Sequence, residues 1–469
     1  MSKDGPRQRK LTTDDETVWA DLLRRSLAWV STERIFEKLT KHGNTNWVTS
    51  ELVALAVLWV WSGHGTLTGA FAEAKQLSLA MFGRVALTSY QGFTAALTKW
   101  TTCLVPLLWS RLHVLMEQAG GEHWRIGRWL ALAVDGSRTT TPRTKSNEAM
   151  FSAARYGSGA TAKSRRKWRN KKRRSQRLPE PVKPQIWLTL VWHMGLKMPW
   201  CWKTGPSTAS ERHHLLDLLQ AVVFPENTLF CCDAGFVGYE LWRAILDRGQ
   251  HFLIRVGGNV RLLRQLGSTR RGDNLVHLWP NDAARRREPP IVLRLLTFQG
   301  PRGPVYLVTS VLHEKDLTLK QATEMYRLRW GIELQFRSFK QTFGRSKLRS
   351  RTSQHALVEL EWSLMGLWLV QLFAVKEQIR IDRPPRESSV ALALAVIQDS
   401  MRLSQHVVSD RRELARRLAD AIKDSYRRRH SKRARYQRLF KDKPCATKPK
   451  IVVATSAQRQ AYQSLATAL

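Results

Sequence analysis

The first quarter of the chain has apolar residues at helical spacing. The segments "ELVALAVLWVW" (51–61) and "LVPLLWSRLHVLMEQ" (104–118) repeat apolar side chains three and four residues apart, and glycines at 63, 65, 120 and 121 separate such segments. This pattern predicts helices joined by short breaks from about residue 14 to residue 120. We therefore predict a helical N-terminal domain covering residues 1–125.

From residue 128 onward the apolar residues form short continuous runs bounded by turn residues, which is typical of buried strands. The first run is predicted to end at Asp135, and a capping-box pattern of Thr208 and Glu211 predicts the start of a helix after the third run. A further helix is predicted at 239–248. The strands themselves are predicted at 128–140, 185–195, 198–205, 227–236 and 251–256.

About fifty residues rich in Gly, Pro and Arg follow, with short β-like pieces, and a predicted strand at 305–312 closes them. Thr318 and Gln321 form a second capping-box pattern, which predicts a long helix running to about Phe343. A second apolar helix is predicted at about 354–378.

This order of elements predicts an α/β fold, in which a mixed-sheet core is interrupted by a mostly β insertion and flanked by helical regions. The C-terminal region is predicted to be basic, helical up to about Phe440 and loose beyond it. After the N-terminal domain, the predicted divisions are the first part of the core at 126–256, the insertion at 257–304, the second part of the core at 305–378 and the C-terminal region at 379–469.

The charge balance predicts a polyanionic partner. The chain has 77 Lys and Arg against 38 Asp and Glu, a formal net charge of +39, and nucleic acids are the usual partners of such a protein. A hydrophobic fraction of 43%, with 19 Trp, excludes a basic disordered tail. The segment 163–177 carries ten Lys or Arg in fifteen residues and is predicted to be a loop that can neutralise phosphates.

The cysteines and the apolar runs predict a location in a reducing cytoplasm. Five scattered cysteines form neither a disulfide framework nor a zinc-site pattern, and the polar N-terminus has no apolar signal core. The longest apolar runs fall short of the roughly 18 residues that a membrane span needs, so they are predicted to be core helices. We expect no membrane partner.

The segment "YRLRWGIELQFRSFK" (326–340) holds one acid among many bases. At about 100° per residue, Tyr326, Arg329, Glu333 and Lys340 share one polar stripe beside an apolar stripe that must pack on the sheet. Glu333 could be neutralised by Arg329 and Lys340, or it could bind a cation that itself holds phosphate. The plain alternative is an i, i+4 ion pair between Arg329 and Glu333, worth a few tenths of a kcal/mol.

Two further acids favour the cation interpretation. Asp135 and Asp233 each follow an apolar run and precede a turn that contains Gly, the position where open α/β sheets place their ligands. With Glu333, they provide three carboxylates that can hold two divalent cations about 3.5–4 Å apart for phosphoryl displacement. Carboxylate oxygens suit Mg²⁺, which also binds substrate phosphates.

The spacing Tyr326-x2-Arg329-x3-Glu333-x6-Lys340 resembles the YREK signature of bacterial insertion-sequence transposases of the DDE type, a family that cuts and pastes DNA through a hairpin intermediate. The strings "RWGIE", "FRSFK", "VDGS" and "DAGF" are also similar to that family. The separations between the acids fit a ribonuclease-H-like core with an insertion before the last acid. The resemblance covers roughly residues 128–375.

The resemblance implies roles at the matching positions. Asp135, Asp233 and Glu333 would bind two Mg²⁺ ions, for which Mn²⁺ can substitute, and would catalyse nicking, hairpin formation and resolution, and strand transfer. The DNA-binding residues would be Tyr326, Arg329, Lys340, Arg337 and Trp279. Trp279 is the candidate to stack on a flipped base, and the alternative is a buried Trp in a small β module.

The predicted function is therefore a DNA transposase of an insertion sequence. Its partners would be double-stranded DNA, in the form of terminal inverted repeats and target, and a second copy of the chain, with the C-terminal helices as the contact between the copies. It would lie in the bacterial cytoplasm, associated with the nucleoid. One alternative is a transposase-derived DNA-binding regulator without catalysis. Another is a basic RNA-binding protein, which would need no converging acids.

Overall fold

The structure is a computed structural model, and it describes residues 23–40, 45, 47–83, 85, 87–152, 183–267, 274–300, 303–402, 413–423 and 447–466. The basic segment 163–177 lies outside the described residues. So does the part of the predicted C-terminal helix that follows residue 423, up to Phe440. The predicted divisions into domains stay predictions.

The helices predicted near the N-terminus are present in the described part of that region. Thr66 and Ser89 cap two of them, because each side chain accepts a hydrogen bond from a backbone N–H three residues on. The bounds are Glu33–Phe36 (a 3-10 turn), Thr49–Trp61, Leu67–Phe82, Tyr90–Gly120 and Gly121–His123 (a 3-10 turn).

These helices share one apolar core with a helix from much later in the chain, Ser353–Ile379, here called the central helix. The indole N–H of Trp61 donates to the carbonyl of Gly366 at 2.9 Å, and that of Trp362 donates to Thr101 at 2.9 Å. The central helix is the one described helix long and apolar enough to cross a membrane, and 94% of its most apolar stretch is buried inside the protein. It is therefore a core helix, as predicted.

The described residues contain one sheet of ten strands, which confirms the mixed α/β class. The order across the sheet is β10-β6-β7-β8-β9-β5-β4-β1-β2-β3. The strands are β1 Leu130–Thr140, β2 Gln185–His193, β3 Met198–Gly205, β4 Thr228–Cys232, β5 His251–Val256, β6 Arg261–Arg264, β7 Leu275–Leu278, β8 Ile291–Gly300, β9 Gly303–Thr309 and β10 Lys450–Val453.

Strand β1 joins a parallel part of the sheet to an antiparallel part. Strand β1 runs parallel to β4 and antiparallel to β2, while β4 runs parallel to β5. Because β3 is antiparallel to β2, it runs in the same direction as β1. The carboxyl ends of β1, β3, β4 and β5 therefore lie at one edge of the sheet.

The predicted β insertion continues the same sheet. Strand β9 pairs with β5, β8 with β9, β7 with β8 and β6 with β7, all antiparallel. The prediction that the chain is loose beyond Phe440 was wrong for its last part, because β10 pairs with β6 and the helix Ser456–Ala466 follows. The run "KIVV" is too short to predict alone, but pairing covers the otherwise open edge of β6.

The predicted helix from Thr318 to Phe343 is broken into parts, here called together the signature helix: Leu319–Leu328, Gly331–Arg337 and the π-helical turn Ser338–Thr342. The capping box of Thr318 and Gln321 is confirmed. At the break, the chain passes very close to the sheet, since a Cβ added at Gly331 would lie 2.2 Å from the ring of Trp192. Only glycine allows this approach.

The capping box predicted at Thr208 and Glu211 was wrong. The helix after β3 begins at Glu211, behind Ser210, and no side chain caps it. The other helices around the sheet are Lys145–Phe151, Glu211–Ala221, Ala234–Phe236 (a 3-10 turn), Tyr239–Leu246, Asn281–Arg285, Pro385–Glu387 (a 3-10 turn), Val390–Arg402 and Glu413–Ala419. The four described cysteines are free, which agrees with the absence of a disulfide pattern.

Glu361 on the central helix predicts a pH-dependent stability. Its Oε2 accepts from the indole N–H of Trp202 at 2.5 Å, and burial raises the pKa of Glu361 from 4.5 to about 7. The contribution of the Glu361 carboxyl to the free energy of unfolding is fully present below about pH 4.5. It is lost as the pH rises through 7, by up to about 3 kcal/mol. Glu361→Gln keeps an acceptor for Trp202 and should remove this loss.

The measurement is the urea midpoint of wild type and Glu361→Gln at pH 5 and pH 8. The urea midpoint of Glu361→Gln should rise relative to that of wild type between pH 5 and pH 8. Glu117→Gln, at an exposed position on the helix Tyr90–Gly120, is the control and should follow wild type. A difference between Glu361→Gln and wild type that is the same at both pH values would show that Glu361 is charged throughout this range.

Candidate active site

Asp135 lies inside β1 rather than at its end, which corrects the predicted boundary. The parallel pairing of β1 with β4 aligns Ala133 with Cys231. Two residues farther along each chain stand Asp135 and Asp233, so both acids lie at the same level of neighbouring strands, whose spacing is about 4.8 Å. Strand β4 stops at Cys232 while β1 continues to Thr140. The acids therefore lie where open α/β sheets bind their ligands, beyond the end of a strand, and this place is here called the cleft.

Backbone amides orient both aspartates. Oδ1 of Asp135 accepts a hydrogen bond from the N–H of Gly136 at 2.8 Å. Oδ1 of Asp233 accepts from the N–H of Gly235 at 2.8 Å and so caps the 3-10 turn that follows. These bonds fix the two carboxylates at the mouth of the cleft before any ligand arrives.

Glu333 reaches the same cleft from the signature helix. Its side chain is exposed, on the part of the helix that packs on the sheet through Gly331. The pKa of Asp135 is raised first by burial and then by the negative charges of Asp233 and Glu333. Asp135 therefore lies within electrostatic range of both Asp233 and Glu333.

Arg329 is the cation nearest to these acids. Its side chain is 5% exposed, and its Nη1 lies 3.7 Å from Oδ2 of Asp135. Its Nε has no hydrogen-bond partner among the described residues. The guanidinium also lies over the ring of Tyr326, at 5.4 Å, and Tyr326 is itself buried. Both residues are therefore buried rather than on the outer surface.

Lys340 belongs to the site and Arg337 does not. Nζ of Lys340 donates to Oγ of Ser137 at 2.7 Å, and Ser137 lies on the same face of β1 as Asp135. The π-helical turn places Lys340 there, and burial lowers its pKa. Arg337 is exposed and lines a separate cavity of about 490 Å³, which none of the three acids lines.

Trp279 packs into the β region. Its side chain is 6% exposed, and its indole N–H donates to the carbonyl of Glu288 at 2.9 Å. This placement agrees with the alternative that was open for Trp279, a buried Trp in a small β module. A stacked base would need this ring to leave its present packing.

Glu211 is a fourth acid at the cleft, although its spacing from Thr208 predicted a role in helix capping. A Cβ added at Gly136 would lie 2.3 Å from Oε1 of Glu211, so this carboxylate covers the glycine that follows Asp135. Burial, and then the charges of Asp135 and Asp233, raise the pKa of Glu211 to about 7.

The signal that could have identified Glu211 is topological. A helix that follows a strand parallel to β1 starts at the same edge of the sheet as the ends of β1 and β4. An acid in the first turn of that helix therefore lies at the cleft. The predicted strand order alone did not settle the direction of β3, so this signal was not visible in the sequence.

The donors at this cleft fit divalent cations. All four acids offer carboxylate oxygens, which Mg²⁺ prefers. Burial, and then neighbouring negative charges, raise the pKa of Asp135 and of Glu211, while Arg329 lies 3.7 Å from Asp135. Within the described part of the chain, no three His, Cys, Asp or Glu side chains are already arranged to hold a metal ion. The chemistry of the site fits the ions, and the cage is not preformed.

Residues 130–369, a little over half of the chain, match the family described as Transposase DDE domain. The chain belongs to this family. The match spans both aspartates and the whole signature helix, and it confirms the resemblance to DDE transposases seen in the sequence. DDE transposases generally use divalent metal ions, which agrees with the carboxylate donors found here.

A curated relative supports the same assignment. The chain is 27% identical over 252 residues to the transposase InsG for insertion sequence element IS4 of Escherichia coli (strain K12). The alignment covers 52% of this chain and 51% of InsG, so the chain spans about half the length of the curated relative it matches.

Among solved structures, the piggyBac transposase synaptic complex with hairpin DNA, determined by cryo-EM, aligns over 88% of this chain and 85% of its own. The TM-score is 0.36 and the identity is 11%. This similarity is too low to add to the family assignment of the DDE domain.

Proposed function

We propose that this DDE-family chain is a cut-and-paste transposase that nicks the ends of an insertion sequence, forms and resolves hairpins, and joins the ends to target DNA. The observation that carries the proposal is the placement of Asp135 in β1 and of Asp233 directly after the end of its parallel neighbour β4, with Asp135 within electrostatic range of Asp233 and Glu333. We assign these three acids as the catalytic residues.

The strand order supports a ribonuclease-H-like core. Strands β3-β2-β1-β4-β5 are consecutive in the sheet, the first three joined antiparallel and the last three parallel. Strands β6, β7 and β8 fall within residues 257–304, the range predicted for the insertion, and β9 corresponds to the core strand predicted at 305–312. The acids thus come from the central strand, its parallel neighbour and the first helix after the insertion.

Asp135, Asp233 and Glu333 would hold two Mg²⁺ ions, or Mn²⁺ in their place. When bound, such a pair activates a hydroxyl nucleophile and stabilises the leaving oxygen during phosphoryl displacement. The protein's part is to fix the carboxylates through Gly136 and Gly235 and to present Glu333 on a helix seated against the sheet.

The remaining signature residues bind and orient the DNA strand in this proposal. Lys340, held by Ser137 beside the cleft, offers a cation to a phosphate that enters it. Arg329 keeps a guanidinium next to Asp135 and carries an unpaired Nε that a phosphate oxygen can accept from. The guanidinium of Arg329 lies over the ring of Tyr326, which helps to hold it in place.

Double-stranded DNA is the proposed partner, in the form of the element's terminal repeats and the target. The net charge of +39 supplies attraction to any duplex, while base contacts must supply the choice of sequence. We further propose that two copies of the chain pair two ends, and that the protein acts in the bacterial cytoplasm at the nucleoid.

The test is strand cleavage by the purified full chain. Labelled duplex that carries the DNA flanking its own gene is incubated with Mg²⁺ or with a chelator. Hairpins run on a denaturing gel as single strands of twice the fragment's length. Nicks followed by hairpins, in Mg²⁺ only, support the proposal, whereas tight binding without cleavage would support the regulator.

Lys340→Ala should weaken binding of the end DNA modestly and flatten its salt dependence. Loss of one phosphate contact lowers the slope of log K against log salt by about one unit. Binding is measured by fluorescence anisotropy over a range of NaCl concentrations. The matched control is Lys320→Ala, an exposed lysine on the first part of the signature helix, which should leave the slope unchanged. A wild-type slope in Lys340→Ala would rule out the phosphate contact.

A further inference from the structure

Glu211 lies at the cleft and makes no contact among the described residues that would explain it as a residue that stabilises the fold. It is the first residue of the helix Glu211–Ala221, and no side chain caps that helix. Its carboxylate forms no hydrogen bond or ion pair with any residue that the structure describes. An acid is favoured at this end of a helix by the helix dipole, by about 0.3–1 kcal/mol. The dipole explains the residue type but not the direction in which its carboxylate turns.

The two oxygens of Glu211 point toward both aspartate turns. Oε1 lies over Gly136, where an added Cβ would be only 2.3 Å away, and Oε2 would lie 3.7 Å from a Cβ added at Gly235. Gly136 directly follows Asp135, and the N–H of Gly235 holds Asp233. The Glu211 carboxylate therefore sits between the two turns that orient the catalytic aspartates.

A methyl group at position 136 would occupy the place that the Glu211 carboxylate fills, so glycine at 136 admits the fourth acid. A tightly placed carboxylate with no partner is costly among other carboxylates, because each repels the next. Among the described residues, the cation that acts on Glu211 is Arg138, while Arg329 lies 3.7 Å from Asp135 and has an unpaired, buried Nε. Such a cluster is stabilised when positive charge enters it.

We infer that Glu211 is a fourth carboxylate of the catalytic centre and supplies an oxygen ligand for a divalent cation held with Asp135 and Asp233. This inference rests on the proposed function. Glu211 approaches the pair from the helix after β3, while Glu333 approaches from the signature helix, so the two glutamates come to the aspartates from different elements.

Binding of Mn²⁺ to the full chain without DNA provides a readout that does not depend on catalysis. Free Mn²⁺ is counted by its EPR signal during titration of wild type, Glu211→Gln, Glu211→Asp and Asp135→Asn. Removal of a ligand is expected to weaken the affinity by about 10–100-fold, the range seen even for residues that support metal ligands. Glu211→Gln should fall in this range, and Glu211→Asp, which keeps the charge, should lose less.

The control is Asp217→Asn, which removes one negative charge from the exposed side of the same helix, where Asp217 pairs with Lys203 at 3.3 Å. It should bind Mn²⁺ as wild type does. Thermal unfolding without metal shows whether each variant is folded. Glu211→Gln removes a repulsive negative charge, so its unfolding temperature should be no lower than that of wild type.

The outcomes separate the two proposals. Wild-type affinity in Glu211→Gln, together with loss in Asp135→Asn, would overturn the role of Glu211 and leave the proposed function standing. A wild-type chain that neither binds Mn²⁺ nor cleaves its end DNA would overturn both. Weakened binding in Glu211→Gln with unchanged Asp217→Asn supports the fourth carboxylate.

Discussion

Glu333→Gln is expected to abolish strand cleavage while DNA binding stays within a few-fold of wild type. The amide keeps the shape of the side chain but removes the negative charge that acts on Asp135. We expect a loss of about 10³-fold in the cleavage rate, or about 4 kcal/mol of transition-state stabilisation. Single-turnover cleavage of end DNA in Mg²⁺ gives the rate, and anisotropy gives the affinity.

Glu324→Gln is the matched control for this variant. Glu324 is an exposed acid on the first part of the signature helix, and its replacement makes the same change in net charge. It should cleave as wild type does. Cleavage by Glu333→Gln at more than a tenth of the wild-type rate would remove Glu333 from the catalytic residues.

Glu359→Gln is expected to lower the free energy of unfolding by about 3 kcal/mol or more, because it breaks a buried charge network. Glu359 is fully buried, and its carboxylate accepts hydrogen bonds from the backbone N–H groups of Arg349 and Ser350 and from the Ser350 hydroxyl, at 2.7–3.1 Å. Nε of Arg345 lies 3.8 Å from it and is also buried. The neutral amide leaves this guanidinium without its counter-ion.

This network holds the segment that follows the signature helix and pairs with the end of β1. The N–H of Leu348 donates to the carbonyl of Thr140 at 2.8 Å, and the N–H of Thr140 donates to Ser346, so residues 346–348 run beside the end of β1. Release of the segment should loosen Lys340 relative to Ser137. We therefore expect Glu359→Gln to lose cleavage activity together with stability.

The free energy of unfolding is measured in urea by tryptophan fluorescence, with Glu122→Gln as an exposed control that should change it by less than about 0.5 kcal/mol. A Glu359→Gln variant within 1 kcal/mol of wild type would show that solvent, rather than Glu359, satisfies the buried groups. Loss of activity at unchanged stability would instead place Glu359 in the chemistry.

Several features of the fold followed from local patterns. Continuous apolar runs predicted the positions of β1 to β5, because strands buried on both faces need no polar alternation. The pattern of Thr318 and Gln321 predicted the start of the signature helix, because the capping bonds are made within four residues. Such interactions are encoded over short distances and so can be recognised in one sequence.

Other features depended on contacts between distant segments. Thr208 and Glu211 have the same capping pattern, yet Glu211 turns to the cleft, where Gly136 leaves room for its carboxylate. The break in the signature helix occurs where Gly331 rests on Trp192, more than one hundred residues away in the chain. The strand Lys450–Val453 forms only because β6 offers it an edge.

By itself, the sequence determined the mixed α/β class, the acids Asp135, Asp233 and Glu333 as candidates, and the resemblance to DDE transposases that the family match confirms. The tertiary structure alone decided that Asp233, just after β4, lies beside Asp135 in the parallel strand β1, that Arg329 is buried next to Asp135 and that Glu211 joins them. The reason is physical. Residue type and spacing fix local hydrogen bonding and burial, whereas strand register and close packing set the distances between side chains that lie far apart in the chain.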